Sequence, residues 1–475
     1  MSEVNRPLGD IPAAEFRKHL HEVADWIADY RENIASYRIS PDAKPGTIAA
    51  KLPAQAPEQG ESLDEIIADV DRIVLPGITH WAHPDFMGYF GATTTAPGIL
   101  AELFVAGLNV NAMTWRTSPA ATELETVVLD WLRQWLQLPD EFSGVVYDTA
   151  SIGTMHALAV AREEAASQVR QRGLSGRNDV PMFRIYASDQ AHSSVDKAAI
   201  ALGIGEHNVV RVPSDNEFRM DVSALGKAIE DDLRAGRKPL AVVATVGTTS
   251  TASVDPLSAI AAICRDQEMW LHIDAAYGGG LCVVPEMRSV FDGFELADSI
   301  VVNPHKMLFV PFDFSATYVR NISRLRNVFT LVPEYLRGDA KDAEINYMDY
   351  GVQLGRRFRA LKAWMVWRTF GREGLAARIR EHLRLAHLFT SWVEEDEHFD
   401  LSAPTVMGVV CFRARGSDEA NAAIVETINA SGESYFMQTK LRGQTVIRLG
   451  LGNILTTEEN VRRAWEIVRA TRSRV

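Results

Sequence analysis

The sequence predicts an α/β protein with a mostly parallel central sheet. A helical arm (1–90) precedes the large domain (91–362), and a small α+β domain (363–475) follows it. Three observations predict this. From position 145 onward, short apolar, β-branched runs alternate with helical stretches, the pattern of strands joined by crossover helices. Several of those runs end in polar side chains, as in Ser299-Ile300-Val301-Val302-Asn303-Pro304-His305-Lys306. In an open parallel sheet, ligands bind beyond the carboxyl ends of the strands. The chain has 475 residues, 47% hydrophobic and 23% charged, enough for a large core in two or three units and too apolar for extended disorder.

The totals also exclude partners. A formal net charge of -13 argues against nucleic acid and anionic membranes, both of which need a basic surface. Cys264, Cys282 and Cys411 are widely separated and match no metal or disulfide spacing, as expected in a reducing cytosol. The first residues lack a signal-peptide pattern and no run is long enough to span a bilayer, so a cytoplasmic protein is expected.

Taken in order, 11–33 places Phe16, Leu20, Val23, Ile27 and Tyr30 on one face of an amphipathic helix. A Pro- and Gly-rich crossing over 43–60 leads to Ser62 and Glu65, a capping-box pattern that opens a second helix. Two helices on a strap bury too little surface to stand alone, so the arm is expected to wrap a second subunit. The stretch 81–90 is unusually aromatic, with Trp81, Phe86, Tyr89 and Phe90. Ser118-Pro119 starts a strong helix whose Leu124, Val128, Trp131 and Trp135 are core.

A strand over 145–147 runs into Asp148-Thr149-Ala150-Ser151 and a helix to 165, whose free N-terminal N–H groups suit a phosphate. Strands over 184–187 and 241–246 lead to His192 and to Gly247-Thr248-Thr249. Trp270-Leu271-His272-Ile273-Asp274-Ala275-Ala276-Tyr277 is a core strand ending in a carboxylate. Four successive strand ends thus carry polar groups, and independent core requirements would not gather them at one edge. A lysine at the mouth of a core strand is either salt-bridged or chemically employed. Beyond it, 327–350 reads as a mobile surface loop, and 351–362 holds a basic run, Arg356-Arg357-Phe358-Arg359, expected to pair internally. Helices over 375–394, 418–429 and 457–470, with strands over 406–412 and 445–449, complete a small domain with no legible chemistry.

Lys306 and Asp274 are the pair that pyridoxal 5'-phosphate requires: a lysine to hold its aldehyde and an acid to keep its ring nitrogen protonated. With Asn303-Pro304-His305-Lys306 and His272-Ile273-Asp274-Ala275-Ala276-Tyr277, nearly the whole chain resembles the aromatic-L-amino-acid decarboxylases, group II pyridoxal-phosphate-dependent enzymes, in a bacterial-type form. The resemblance implies the fold type I architecture, a homodimer with its active site at the subunit interface, no metal, and conversion of an aromatic L-amino acid to amine and carbon dioxide. It implies that Thr149, Ala150, Ser151, His192, Thr249, Asp274, Ala276, Asn303, His305 and Lys306 contact the cofactor, with His192 stacked on its ring. It implies that Trp81, Tyr89, Phe90, Phe312 and Gly355 wall the substrate pocket, and that Asn111 and Met113 reach it from the partner subunit. Pro333-Glu334-Tyr335-Leu336 resembles the family's catalytic loop, whose tyrosine protonates the substrate carbon. Gly355 stands where histidine- and tyrosine-preferring members often carry serine, a lean towards indole or catechol substrates.

The chain departs from the family at Ser143-Gly144, Gly91-Ala92, Asn111, Met113 and Met307. Three alternatives stand beside the main reading. One is an aldehyde synthase, against which Tyr335 argues; another is a decarboxylase of histidine or another non-aromatic amino acid; the third is a non-catalytic cofactor-binding dimer.

Overall fold

The computed structural model describes residues 9–166, 168–331 and 344–474. Seven strands form the large sheet: β1 (Phe142–Tyr147), β2 (Phe183–Ser188), β3 (Val209–Val212), β4 (Lys238–Thr245), β5 (Trp270–Ala275), β6 (Ser299–Val302) and β7 (Ser315–Arg320). Their order is β1-β7-β6-β5-β4-β2-β3. β7 is antiparallel to both of its neighbours, so the other six strands all run the same way and their carboxyl ends share one edge.

Helices cover both faces, which is why β4, β5 and β6 are continuous apolar runs rather than alternating ones. Successive residues of β4 point to opposite cores. Ala241 and Val243 pack with Leu158, Ala159 and Val160 of the helix Ala150–Ala165, while Val242 and Ala244 pack with Leu257, Ile260 and Ala261 of the helix Leu257–Asp266. The first of these helices lies very close to the sheet. A Cβ at Gly153 would stand 2.2 Å from Thr317 Oγ1 and 3.1 Å from Val301 Cγ2.

The small sheet is antiparallel, in the order β10-β11-β9-β8: β8 (Phe399–Leu401), β9 (Val409–Ala414), β10 (Met437–Leu441) and β11 (Gln444–Gly450). A long helix, Ala360–Glu395, bent at Gly371, packs against both the large domain and this sheet.

In the arm, the helix Ala13–Glu32 packs on Leu63–Asp69 and on the segment Val70–Val74 that continues it through polar contacts: Lys18 to Asp64 at 2.8 Å and Trp26 to Asp71 at 2.7 Å. Phe16, Leu20, Ile66, Val70 and Val74 stay exposed, so the apolar face of the arm is uncovered within this chain. Ser62 and Ser118 cap their helices as their sequence context suggests, accepting from Glu65 N–H and Ala121 N–H.

One expectation fails. The stretch 327–350 is not a surface loop throughout: its first residues finish the helix Ser323–Phe329, and its last form the turn Tyr347–Tyr350, with Tyr347 and Asp349 buried. Tyr347 is held by Thr126 Oγ1, 3.0 Å from its hydroxyl, and by the Arg356 guanidinium 4.7 Å above its ring. Periodicity could not show this, because Thr126 lies 221 positions away.

Candidate active site

The shared strand edge opens into a cavity of about 410 Å³. Five of the six co-directional strands, all but β3, deliver polar residues there. The turn after β1 brings Thr149, Ala150 and Ser151; β2 leads to His192; β4 ends at Thr245 and leads to Thr249; β5 brings Asp274 and Ala276; β6 brings Asn303, His305 and Lys306. Thr245 and Asp274 are register partners, and Asp274 is in turn opposite Val301. All ten residues expected at a cofactor therefore line one cavity, together with Tyr89 and Phe90.

Lys306 is the centre of the site. Burial lowers its pKa to about 8, Arg448 adds to the lowering, and Asp274 opposes both. About a tenth of the amine is thus uncharged at pH 7, far more than in an ordinary lysine, and this is the form that attacks a carbonyl. Its Nζ lies 4.9 Å from the centre of the Phe90 ring, which stacks on Tyr277 at 3.8 Å. Asp274 is buried and accepts the Ala276 N–H at 3.0 Å, which fixes one carboxylate oxygen. His192 Nδ1 accepts the Ser194 N–H at 3.1 Å, placing the proton of the neutral ring on Nε2. The surrounding protein lowers the His192 pKa, and Asp274 opposes that effect. His305 is buried and kept neutral, its pKa lowered to about 3 by burial and by Lys306, and its Nδ1 accepts the Phe314 N–H.

The small sheet supplies residues that sequence reading misses. Met437, Gln438 and Thr439 of β10 and Arg448 of β11 complete the cavity wall. Arg448 is buried; its Nε donates to Ser250 O at 3.0 Å and its Nη1 to Tyr89 O at 2.7 Å, while Nη2 has no partner. Its guanidinium sits 4.7 Å from the Phe90 ring centre, so Phe90 lies within reach of two cations. The available signal is an arginine in an otherwise apolar strand, Val446-Ile447-Arg448-Leu449. Arginine is rarely buried unless paired.

Other expected pocket positions lie outside this cavity. Trp81 stacks on Tyr89, with ring centres 5.1 Å apart, and does not line the cavity itself. Phe312 leans on His305 at 4.7 Å and is 65% exposed. Asn111 and Gly355 are exposed and Met113 is half-buried; they sit together, with Asn111 Oδ1 accepting the Arg356 N–H and Asn111 Nδ2 directed at Met113 Sδ. Tyr335 lies outside the described residues. The basic run pairs internally, Arg356 with Glu125, Arg357 with Glu102 and Arg359 with Asp313.

The donor set fits pyridoxal phosphate. No side chain caps the helix that begins at Ala150, which leaves backbone N–H groups for a dianion. Asn303 Oδ1 and Thr245 Oγ1 are buried in the cavity wall without partners among the described residues, as is Arg448 Nη2. Buried polar atoms are normally satisfied, so several orphans around one cavity mark the seat of a polar ligand.

Comparison with known proteins points the same way. Residues 45–415 match the pyridoxal-dependent decarboxylase conserved domain. The chain is 40% identical over 475 residues to the aromatic-L-amino-acid decarboxylase of Cavia porcellus, covering 98% of each protein. It is 36% identical to the phenylacetaldehyde synthase of Arabidopsis thaliana, covering 97% of this chain and 96% of the relative. Among solved structures it resembles an Oryza sativa protein, TDC, determined with PLP and tryptamine; the TM-score is 0.94 at 36% identity, covering 98% of this chain and 99% of the other. These matches are animal and plant proteins and lend no support to the expected bacterial-type form.

Proposed function

This chain belongs to the pyridoxal-dependent decarboxylase family, and we propose that it converts an aromatic L-amino acid to its amine and carbon dioxide. The observation that carries the proposal is the half-buried Lys306 with a pKa of about 8, facing Asp274, His192 and a half-free Arg448 around one cavity. Pyridoxal phosphate supplies an electron sink for the pair released when a bond at the amino acid's α-carbon breaks.

The chain's residues do the rest. Lys306 offers an uncharged amine to hold the cofactor. Asp274 would hold a negative charge for the ring nitrogen, and His192 would pack against the ring. Ala150 and Ser151, with Thr149, hold the phosphate at the uncapped helix N-terminus. Thr249, Ala276, Asn303 and His305 complete the seat. Arg448 Nη2 is an open donor for a carboxylate, and Tyr89 and Phe90 give the amino acid an apolar surface. The resemblance assigns protonation of the α-carbon to the Tyr335 hydroxyl and the remaining pocket walls to Trp81, Phe312 and Gly355, with Asn111 and Met113 from a second subunit.

The working unit is a homodimer with regions 1–90, 91–362 and 363–475. In support, Leu100, Phe104 and Leu108 expose an apolar helix face, Phe312 and Leu354 are exposed, and the arm leaves its own face uncovered. The three buried free cysteines suit the cytoplasm. Among the described residues no helix is long and apolar enough to cross a membrane. The test is turnover of cofactor-loaded enzyme on tryptophan, tyrosine, dopa, phenylalanine, histidine and glutamate, reading carbon dioxide, amine and ammonia together. Amine without ammonia from an aromatic substrate supports the proposal. Aldehyde with ammonia overturns it in favour of the chemistry named for the Arabidopsis relative.

A further inference from the structure

β1 is the terminal strand of the large sheet, so among the described residues one of its edges has no strand to pair with. At Val146 that edge is closed by side chains. The Val146 N–H donates to Glu125 Oε1 at 3.0 Å, and the Val146 carbonyl accepts from Arg356 Nη2 at 2.7 Å. The two side chains also hold each other, with Arg356 Nη1 3.1 Å from Glu125 Oε2 and Nη2 2.7 Å from Oε1. Both are buried, 3% and 2% exposed. An ion pair therefore occupies the place of a missing strand.

The same arginine reaches a second region. Its Nη1 donates to Ala112 O at 3.3 Å, its carbonyl accepts the Ala112 N–H at 2.9 Å, and its own N–H donates to Asn111 Oδ1 at 3.0 Å. One residue thus binds the end of β1, which leads directly to Ala150 and Ser151, and the stretch carrying Asn111 and Met113, with Gly355 beside it. The first region lines this chain's own cavity; the second does not.

We infer that Glu125 and Arg356 form a positioning pair that couples the cofactor seat of one subunit to the substrate wall it offers the other. The inference rests on the homodimer reading above. Stability alone explains the pair poorly, since buried ion pairs contribute little net stability compared with apolar packing. The guanidinium fork explains it better. It binds a carboxylate and two carbonyls at once in a plane, a geometry that an ammonium group cannot copy.

Mixed dimers test this. One chain carries Lys306→Ala, so each dimer has a single site able to hold the cofactor covalently, and Arg356→Lys is placed on either chain. On the Lys306-bearing chain, the variant should speed loss of the lysine-bound cofactor's visible absorbance about tenfold, as expected for one charge-assisted hydrogen bond, and change KM less than about twofold. On the Lys306→Ala chain it should raise KM about tenfold and leave the rate of cofactor loss unchanged. Should Arg356→Lys fail to fold, Glu125→Gln keeps an oxygen for the Val146 N–H and should give the same split, about threefold in size. Equal effects in the two arrangements, or a lower melting temperature with both constants unchanged, would overturn the positioning role. A fully active monomer that forms no mixed dimer would overturn the dimer reading, and the coupling with it; the absence of mixed dimers tells this failure from the first.

Discussion

The two sheets reach the same cavity in different ways. The large sheet delivers its residues end-on, five of its seven strands stopping at the edge and handing over a polar side chain: Ser151, His192, Thr249, Asp274 and Lys306. The small sheet contributes along its length, through the register pair Met437 and Arg448, in the midst of paired backbone. End-on delivery writes itself into the sequence as an apolar run followed by a polar cluster. Lateral delivery leaves one charged residue inside an apolar run, which looks like an ordinary strand. The difference also divides the labour: strand ends hold the cofactor, and the small sheet presents a fixed cation to what joins it.

The largest effects should come from the strand ends. Asp274→Ala should leave the protein folded and lower kcat by roughly 10²–10⁴-fold, the range for groups that stabilise transition-state charge or protons. An active, cofactor-loaded variant would show that the strand-end assignment is misplaced. On the lateral side, Arg448→Met should cost about 10–100-fold in kcat/KM, as loss of a charged hydrogen bond does. Equal losses for amino-acid substrates and for an amine analogue lacking the carboxylate would remove Arg448 from carboxylate binding.

The two sides also meet in one titration. Cofactor uptake by the cofactor-free chain needs the uncharged Lys306 amine, which is present above its pKa. Uptake should therefore rise with pH through about 8 and then level off, whereas an unperturbed amine would keep gaining towards about 10.4. Arg448→Met removes a cation that helps lower this pKa, so its midpoint should move up; an unchanged midpoint would deny electrostatic contact between the sheets. Gly153→Ala would drive a methyl into Thr317 and Val301 and displace the helix that begins at Ala150, costing about 1–3 kcal/mol in urea unfolding. The smallest effect belongs to the seam. Thr439→Ala removes the 3.0 Å bond to Ser250 and should cost about 0.5–1.5 kcal/mol in urea unfolding.

The sequence was legible where one residue's surroundings are local. β5 and β6, with Asp274 and Lys306 at or just past their ends, follow from runs of β-branched residues, and Ser118-Pro119 marks a helix start without reference to the rest of the fold. What stayed hidden depends on distant partners. β7 runs against its neighbours and carries no site motif. Tyr347 is buried because Thr126, 221 positions earlier, meets its hydroxyl and Arg356 covers its ring. Glu125 sits on a helix face otherwise holding Ala121, Val128, Leu129 and Leu132, and only the bare edge of β1 explains an acid there. The resemblance supplied the roles of Tyr335, Asn111 and Met113, which lie beyond what this cavity displays.

The most direct test of the account is to reduce cofactor-loaded protein with borohydride and locate the pyridoxyl group by peptide mass. Lys306 should carry the single label, which Lys306→Ala should abolish. A label on another lysine, or none on a protein that still turns over an aromatic amino acid, would contradict it.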